Sequence, residues 1–527
     1  MDETSNRNRN RIEKSKLNTA VALITNIVMG ILSFAERTVF NQFFIEDYLG
    51  LYSFNNNIIY ILSFFELGIS TAVAYSLYEP LEYGQKDRIV AIMKFFRRAY
   101  IIIGVLIMTS GLAMLPVLQF LIKSSVPMND VRLYFILFLI GNASTYFINY
   151  KNILLNANQE QYKITLVTNM GWTVLYAIEI LIAVFTQDFL LYSVAIMTVS
   201  IIKNVIIDII AKKEFPYLKY KGTTPLDRET SQKIIKNTKG LILTRLGIAM
   251  VTCTDSLLIS AMVGTGVLGK YSNYQMLSTG LLSLALLLPQ SVTASVGNAG
   301  VTETKRTMSK GFNVLDLSSY FIYSTLTILL LNVINPVVST FFGAERVLPF
   351  STVILICINF YLQAMRELLL SYKTSLGLYW EDRKRPIAEG VTNLILSIAL
   401  GYFWGLNGIL IGTMLTSICI NLMIEPRIIF HHGFSRSAYG YYFSNILRFL
   451  LTVIIGLIAH GLIKLTRAES ITAFLKVGTL KINAGGFLVI LISALISICI
   501  TLIIHYLVFR KTESVRTIRK TLSRKAQ

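Results

Sequence analysis

LNTAVALITNIVMGILSFAERTVFNQFF, residues 17–44, is the stretch that decides the fold. It is apolar over more than the roughly 20 residues needed to cross a bilayer. One acid and one base, Glu36 and Arg37, interrupt it. A charge near the middle of a membrane helix costs about 2.5–3.5 kcal/mol on insertion scales, so it must face something other than lipid. On a helix Thr19, Asn26, Gly30, Ser33, Arg37 and Asn41 fall on one narrow face, with spacings of 7, 4, 3, 4 and 4. The other face suits lipid.

The rest of the chain repeats this chemistry. Of 527 residues, 54% are hydrophobic and only 15% charged, and mean hydropathy is +0.59. A soluble domain carries about 25% charged residues. The chain therefore reads as an all-α polytopic membrane protein. The apolar runs are too long, and alternate too little, for a β-barrel. The basic N-terminus precedes a run too long for a cleavable signal. The net charge of +20 fits basic loops at an anionic membrane face and not nucleic acid. Cys253, Cys357, Cys419 and Cys499 lie in apolar runs without CxxC spacing and read as small core residues. No phosphate loop, nucleophile elbow, zinc signature or dinucleotide fingerprint is present. An enzyme is not expected, nor a metal or cofactor.

The hydrophobic pattern predicts fourteen membrane helices. The first six lie in 17–211 as one lobe, at about 17–44, 51–78, 99–122, 132–155, 162–185 and 188–211. A basic linker at 212–239 follows. The second lobe, 240–430, holds helices at about 240–263, 267–297, 312–341, 349–376, 386–404 and 408–430. A terminal pair occupies 441–509, at about 441–463 and 485–509, before a basic tail at 510–527. Lys and Arg place residues 1–16, the linker and the tail inside, so both termini are expected in the cytoplasm. The turns at 45–50, 186–188 and 404–408 fall outside.

The two lobes read as parallel copies. Leu49-Gly50-Leu51-Tyr52-Ser53 is echoed by Leu268-Gly269-Lys270-Tyr271-Ser272, an offset of 219 (268 − 49). Tyr146, Lys151, Leu154 and Leu155 fall on Tyr361, Arg366, Leu369 and Leu370, an offset of 215 (361 − 146). Two pseudo-symmetric six-helix bundles of this kind enclose a central cavity in alternating-access transporters. Arg37, Arg245 and Arg366 lie on polar helix faces and read as substrate contacts, with Lys373 and Lys151 beside them. Glu36, Glu66, Asp255 and Glu367 are either partners of these bases or sites of ion coupling. Arginine's planar fork binds phosphate bidentately. Amide stripes such as Asn142, Asn149, Asn152 and Asn156 supply hydrogen bonds for sugars. A lipid-linked oligosaccharide carries both groups.

The sequence also resembles a family. Residues 35–81, AERTVFNQFFIEDYLGLYSFNNNIIYILSFFELGISTAVAYSLYEPL, carry the pattern first. KKEFPYL at 212–218, TDSLLISAMVGTGVLGKYSNYQML at 254–277 and GLYWEDRKRP at 377–386 continue it. Together they resemble the bacterial polysaccharide flippases, the Wzx-type O-antigen and capsular repeat-unit translocases. These belong to the multidrug/oligosaccharidyl-lipid/polysaccharide (MOP) superfamily. The resemblance implies a MATE-like MOP flippase fold in the bacterial plasma membrane. It implies ion-driven flipping of undecaprenyl-pyrophosphate-linked repeat units for surface polysaccharide, with membrane lipids and the polysaccharide polymerase and chain-length machinery as partners. A peptidoglycan lipid II flippase or a multidrug antiporter of the same superfamily is the alternative.

Overall fold

A computed structural model describes residues 2–66, 68–219, 230–232, 234–235, 253–466, 474–477, 480–512 and 514–516. The chain forms two compact units, Met1–Gly266 and Val267–Gln527. Among the described residues, ten helices are long and apolar enough to cross a membrane. The protein is a multi-pass helical membrane protein.

The first unit contains α1 (Asp2–Phe43), α2 (Glu46–Leu62), α3 (Ile69–Glu82), α4 (Lys86–Met114), α5 (Met128–Ile148), α6 (Asn152–Ala157), α7 (Gln161–Phe185) and α8 (Phe189–Glu214). α1 packs along α7, α7 against α8, and α5 against both α8 and α4. The packed end of α1 carries Val39, Phe40 and Phe44. The Phe40 and Phe44 rings meet Phe189 and Tyr192 at the start of α8 in edge-on pairs. Two expected helices are broken. Residues 51–78 divide at the 3₁₀ turn Ser63–Glu66 and at Gly68, whose φ of 100° suits glycine. Residues 132–155 divide at Asn149–Lys151. A close approach explains the glycine of the repeated LGxYS element. A Cβ at Gly50 would lie 1.9 Å from the Thr265 carbonyl oxygen. Asp47, one turn earlier, accepts hydrogen bonds from Ser124 Oγ, Ser125 Oγ and Thr265 Oγ1.

The second unit contains α9 (Thr265–Ala285, starting at the junction), α10 (Leu287–Thr302), α11 (Lys305–Val337), α12 (Phe350–Ser375), α13 (Arg385–Thr416), α14 (Leu422–Ile428), α15 (Tyr439–Leu465) and α16 (Ala484–Phe509). α13 is two antiparallel arms joined at Gly405, whose φ is 55° and ψ −131°. The arms touch through small residues. A Cβ at Gly408 would meet the Leu400 carbonyl oxygen at 2.0 Å, and one at Gly412 would meet Ser397. Asn393 Nδ2 also donates to Thr413 Oγ1 across the pair, at 3.1 Å. The expected helices 386–404 and 408–430 are these two arms, merged into one apolar span. The expected helix 99–122 comprises the end of α4, which stops at Met114, and a further short helix, Leu118–Leu121. Of the expected helix 240–263, only 253–263 lies within the described residues.

Polar contacts hold α15 and α16 on α11. Arg448 Nη1 donates to Asp316 Oδ2 at 2.5 Å. Asn332 meets Ser497 Oγ at 3.2 Å and His460 Nδ1 at 3.1 Å. Ser324 Oγ lies 3.2 Å from His505 Nε2. Inside a membrane such pairs hold helices together where apolar burial has no driving force. Between α15 and α16 lies an antiparallel hairpin, Phe474–Val477 with Leu480–Asn483. Cys253 and Cys357 are buried, but Cys419 and Cys499 are exposed. That corrects the expectation that all four are core residues. An apolar run serves a lipid-facing surface as well as an interior.

Candidate functional site

Glu36 and Arg37 sit where α1 begins to pack. Glu36 is buried and accepts a 2.7 Å hydrogen bond from Tyr192 Oη. A second buried carboxylate, Glu179 on α7, lies within range of the Glu36 and Arg37 charges. Arg37 is half-buried, and its charge acts on Glu36, Glu179, Tyr52 and Tyr176. The arrangement is two buried carboxyls within range of one guanidinium, with a tyrosine hydroxyl bonded to the first. It can hold a proton or a small cation between the carboxyls, because two like charges at close range cannot both remain ionised at no cost.

Glu66 lies apart from that group. Its Oε1 accepts from Ser70 Oγ at 2.7 Å and Tyr100 Oη at 2.6 Å, and its Oε2 accepts from Tyr146 Oη at 3.2 Å. Lys151 is buried and ion-paired with Asp208, which Lys212 also reaches at 2.5 Å. One turn before Asp208, Asn204 donates to Ser144 and Thr145 and accepts from Asn149. The amide stripe is thus partly committed to helix packing.

The second unit holds a larger cluster of buried charges. Asn204 and Asp208 are echoed by Asn421 and Glu425, 217 residues later in each case (421 − 204 and 425 − 208). Glu425 is fully buried and meets Arg366. Arg366 Nε donates to Glu425 Oε1 and Oε2 at 3.1 and 2.9 Å. Its Nη1 and Nη2 donate to Glu389 Oε1 and Oε2 at 3.0 and 3.2 Å. Arg385 Nε donates to Asp382 Oδ1 at 2.7 Å and lies 3.1 Å from Glu425 Oε1. Its Nη1 donates to Glu389 Oε2 and to Asn421 Oδ1. Lys373 Nζ donates to Asp382 Oδ2 at 2.6 Å and lies 3.8 Å from Glu425. Three cations face three carboxylates, and Asn421 closes the network by donating to Glu389 at 2.7 Å. Burial acts to raise the Asp382 carboxyl, but Arg385 and Lys373 hold it below the usual carboxylate range.

The fold builds this cluster from the turn at Gly405. Glu389 lies sixteen residues before it, or about 24 Å along the arm. The antiparallel arm brings Asn421 and Glu425 back to that level, and α12 supplies Arg366 and Lys373. Beside it a cavity of about 1250 Å³ opens between α12, α14 and α15. Leu362, Met365, Leu422 and Phe449 form apolar wall, and Arg427 and Arg436 supply charge.

Of the bases expected from sequence, the structure brings Arg366 and Lys373 into one cluster. Lys151 belongs to a different pair, and Arg37 to the carboxylates of α1 and α7. Arg245 lies outside the described residues. Asp255 is half-buried on the helix 253–263, with Ser256, the counterpart of Arg37, buried beside it. Glu367 is half-buried beside Arg366, within reach of that charge and of Glu425. Sequence reasoning missed Glu179, Asp382, Arg385, Glu389 and Glu425. Glu179 and Glu425 carried a signal, each being a lone acid in an apolar run. Asp382 and Arg385 lie in the quoted GLYWEDRKRP motif, and nothing local marks them as buried.

Two helical units with ion pairs buried among their helices define a polytopic membrane fold. No family model and no curated protein matches the sequence. Among solved structures, the lipid II flippase MurJ in its inward closed conformation is similar to this chain. Its TM-score is 0.66 at 16% identity, covering 93% of this chain and 99% of that one. A multidrug resistance MATE family transporter of the MOP superfamily, inward-facing, gives a TM-score of 0.58 at 14% identity, covering 77% of this chain and 98% of that one. The chain has the fold these transporters share.

Proposed function

We propose that this chain is a flippase for undecaprenyl-pyrophosphate-linked oligosaccharide repeat units. It moves them from the inner to the outer leaflet of a bacterial plasma membrane, by ion-coupled alternating access, for surface polysaccharide synthesis. The observation that carries the reading is the fold's likeness to a lipid II flippase over 93% of the chain, against 77% for the multidrug transporter. The chemistry supports it. Arg37, Lys151, Arg245, Arg366 and Lys373 supply membrane segments with bases of the kind that bind a pyrophosphate, and those with described partners are held by carboxylates that an anion would have to displace. Ion coupling is assigned to Glu36 with Glu179, and to Glu66, Asp255 and Glu367. Both termini are cytoplasmic in this reading, and the polymerase and chain-length machinery are partners.

The test is flipping of a fluorescent lipid-linked oligosaccharide in proteoliposomes, with and without an ion gradient. Folded, inserted Arg37→Ala and Arg366→Ala proteins should lose most of the rate. Wild-type rates from both would remove the arginines from the mechanism. A second reading, flipping of the peptidoglycan precursor itself, is favoured by the name of the similar flippase. Lipid II in the same vesicles separates the two.

A further inference from the structure

We propose that the cluster of Arg366, Lys373, Arg385, Asp382, Glu389 and Glu425 is a phosphate-binding site occupied by its own carboxylates, and that anion binding there is obligatorily linked to proton uptake. The inference rests on the flippase reading for its physiological ligand and deepens it by adding the carboxyls of this cluster to the groups that carry protons.

The geometry points to an anion site. Two guanidinium groups converge on the same two carboxylates. Arg366 reaches both with paired donors, and Arg385 lies 3.1 Å from Glu425 and donates to Glu389. Lys373 approaches Glu425 from a third direction at 3.8 Å. Two planar forks and an ammonium around one carboxylate are the donor set that recognises a phosphate. The Glu425 oxygens stand where phosphate oxygens would stand. Arg366 is the most exposed member, its side chain 19% accessible, while those of Glu425, Glu389, Asp382, Lys373 and Arg385 are all below 10%. An entering anion meets Arg366 first.

Charge balance supplies the coupling. The cluster has three positive and three negative members. The other groups facing it are Glu367 on α12, Asn421 at the start of α14, and Tyr441 on α15, which feels the Glu425 charge. A pyrophosphate diester brings two negative charges. If it takes the guanidinium groups, the displaced carboxylates are buried without partners. An unpaired buried carboxylate is too costly to persist, and it takes up a proton instead. Neutrality is restored when about two protons enter with each pyrophosphate. By linkage the protons promote anion binding as strongly as the anion promotes protonation. A buried ion network of this size contributes little stability over apolar packing, which agrees with its serving exchange.

The test uses the full chain in detergent and a farnesyl-linked N-acetylglucosaminyl pyrophosphate, a diester whose charge is constant from mildly acidic to mildly alkaline pH. Native protein should bind it with an affinity that rises about tenfold per unit fall in pH for each proton taken up. Calorimetry in buffers of different ionisation enthalpy should register that uptake directly, without any variant. Glu425→Gln should bind about tenfold tighter at neutral pH and lose about one proton from the slope. Arg366→Ala should lose binding. Phosphatidylglycerol in a parallel arm distinguishes a general phosphate site from one selective for pyrophosphate. Binding without proton uptake in native protein overturns the exchange and leaves the flippase reading standing. So does a folded Glu425→Gln protein that binds no tighter than native. Tight, proton-linked binding of phosphatidylglycerol with none of the pyrophosphate would keep the exchange and overturn the flippase reading.

Discussion

Glu425→Gln and Arg366→Met are informative together because each breaks the same balance from opposite sides. Glu425 has no solvent exposure. Its carboxylate receives three hydrogen bonds from Arg366 at 2.9–3.1 Å, and Arg385 and Lys373 lie at 3.1 and 3.8 Å. Neutralising it leaves three buried cations facing two carboxylates. Removing one partner of a buried pair costs about 3–5 kcal/mol. Arg366→Met leaves the opposite imbalance and should cost a similar amount. The double variant has two of each charge. It should therefore be more stable than the sum of the singles by about 2 kcal/mol or more, the size of a strong contact coupling. At about 2–4 °C per kcal/mol for a unit of this size, each single should lower the midpoint by roughly 6–20 °C. Thermal unfolding of detergent-purified protein, followed by monodisperse elution, measures all four corners of the cycle. Singles costing under about 1 kcal/mol, or a double equal to their sum, would refute the reading of the cluster as one balanced network.

Three further outcomes are expected. Asp208→Asn should destabilise more than Lys151→Met, because Asp208 keeps the half-exposed Lys212 when Lys151 is gone, whereas Lys151 is left buried without its acid; midpoints of the two variants decide it. Gly50→Ala should cost about 1–3 kcal/mol, because its Cβ would sit 1.9 Å from backbone at Thr265; a midpoint equal to wild type would contradict that approach. Glu160 is bonded by Lys14 at 2.9 Å and Lys163 at 2.7 Å. Burial opposes those contacts, which still hold its carboxyl below the usual value of 4.5. Its folded pKa is depressed, so its contribution is present above about pH 4.5 and disappears as pH falls through the lower folded value. Glu160→Gln should flatten the acid limb of stability, and an unchanged limb would count against the assignment.

Much of the protein could be read from one dimension. Residues 17–44 announce a membrane helix with a polar face because length and hydropathy are local properties, and lipid tolerates little else. Arg366 and Lys373 were legible as membrane-embedded bases for the same reason. Lys151 and Arg366 each find an acid on a later helix, Asp208 and Glu425. What the sequence left open was which groups meet. Glu179 meets the Glu36 group only because α7 packs along α1 and turns into α8. Glu425 and Asn421 join Arg366 and Glu389 only because the chain reverses at Gly405 and carries them back about 24 Å. Spacing along a helix fixes a face, but the partner across that face is chosen by packing. For a buried charge that partner decides everything. Alone, Arg366 reads as a site for anions. Between Glu389 and Glu425 it is a site already filled, and what must move to empty it is a matter of tertiary structure.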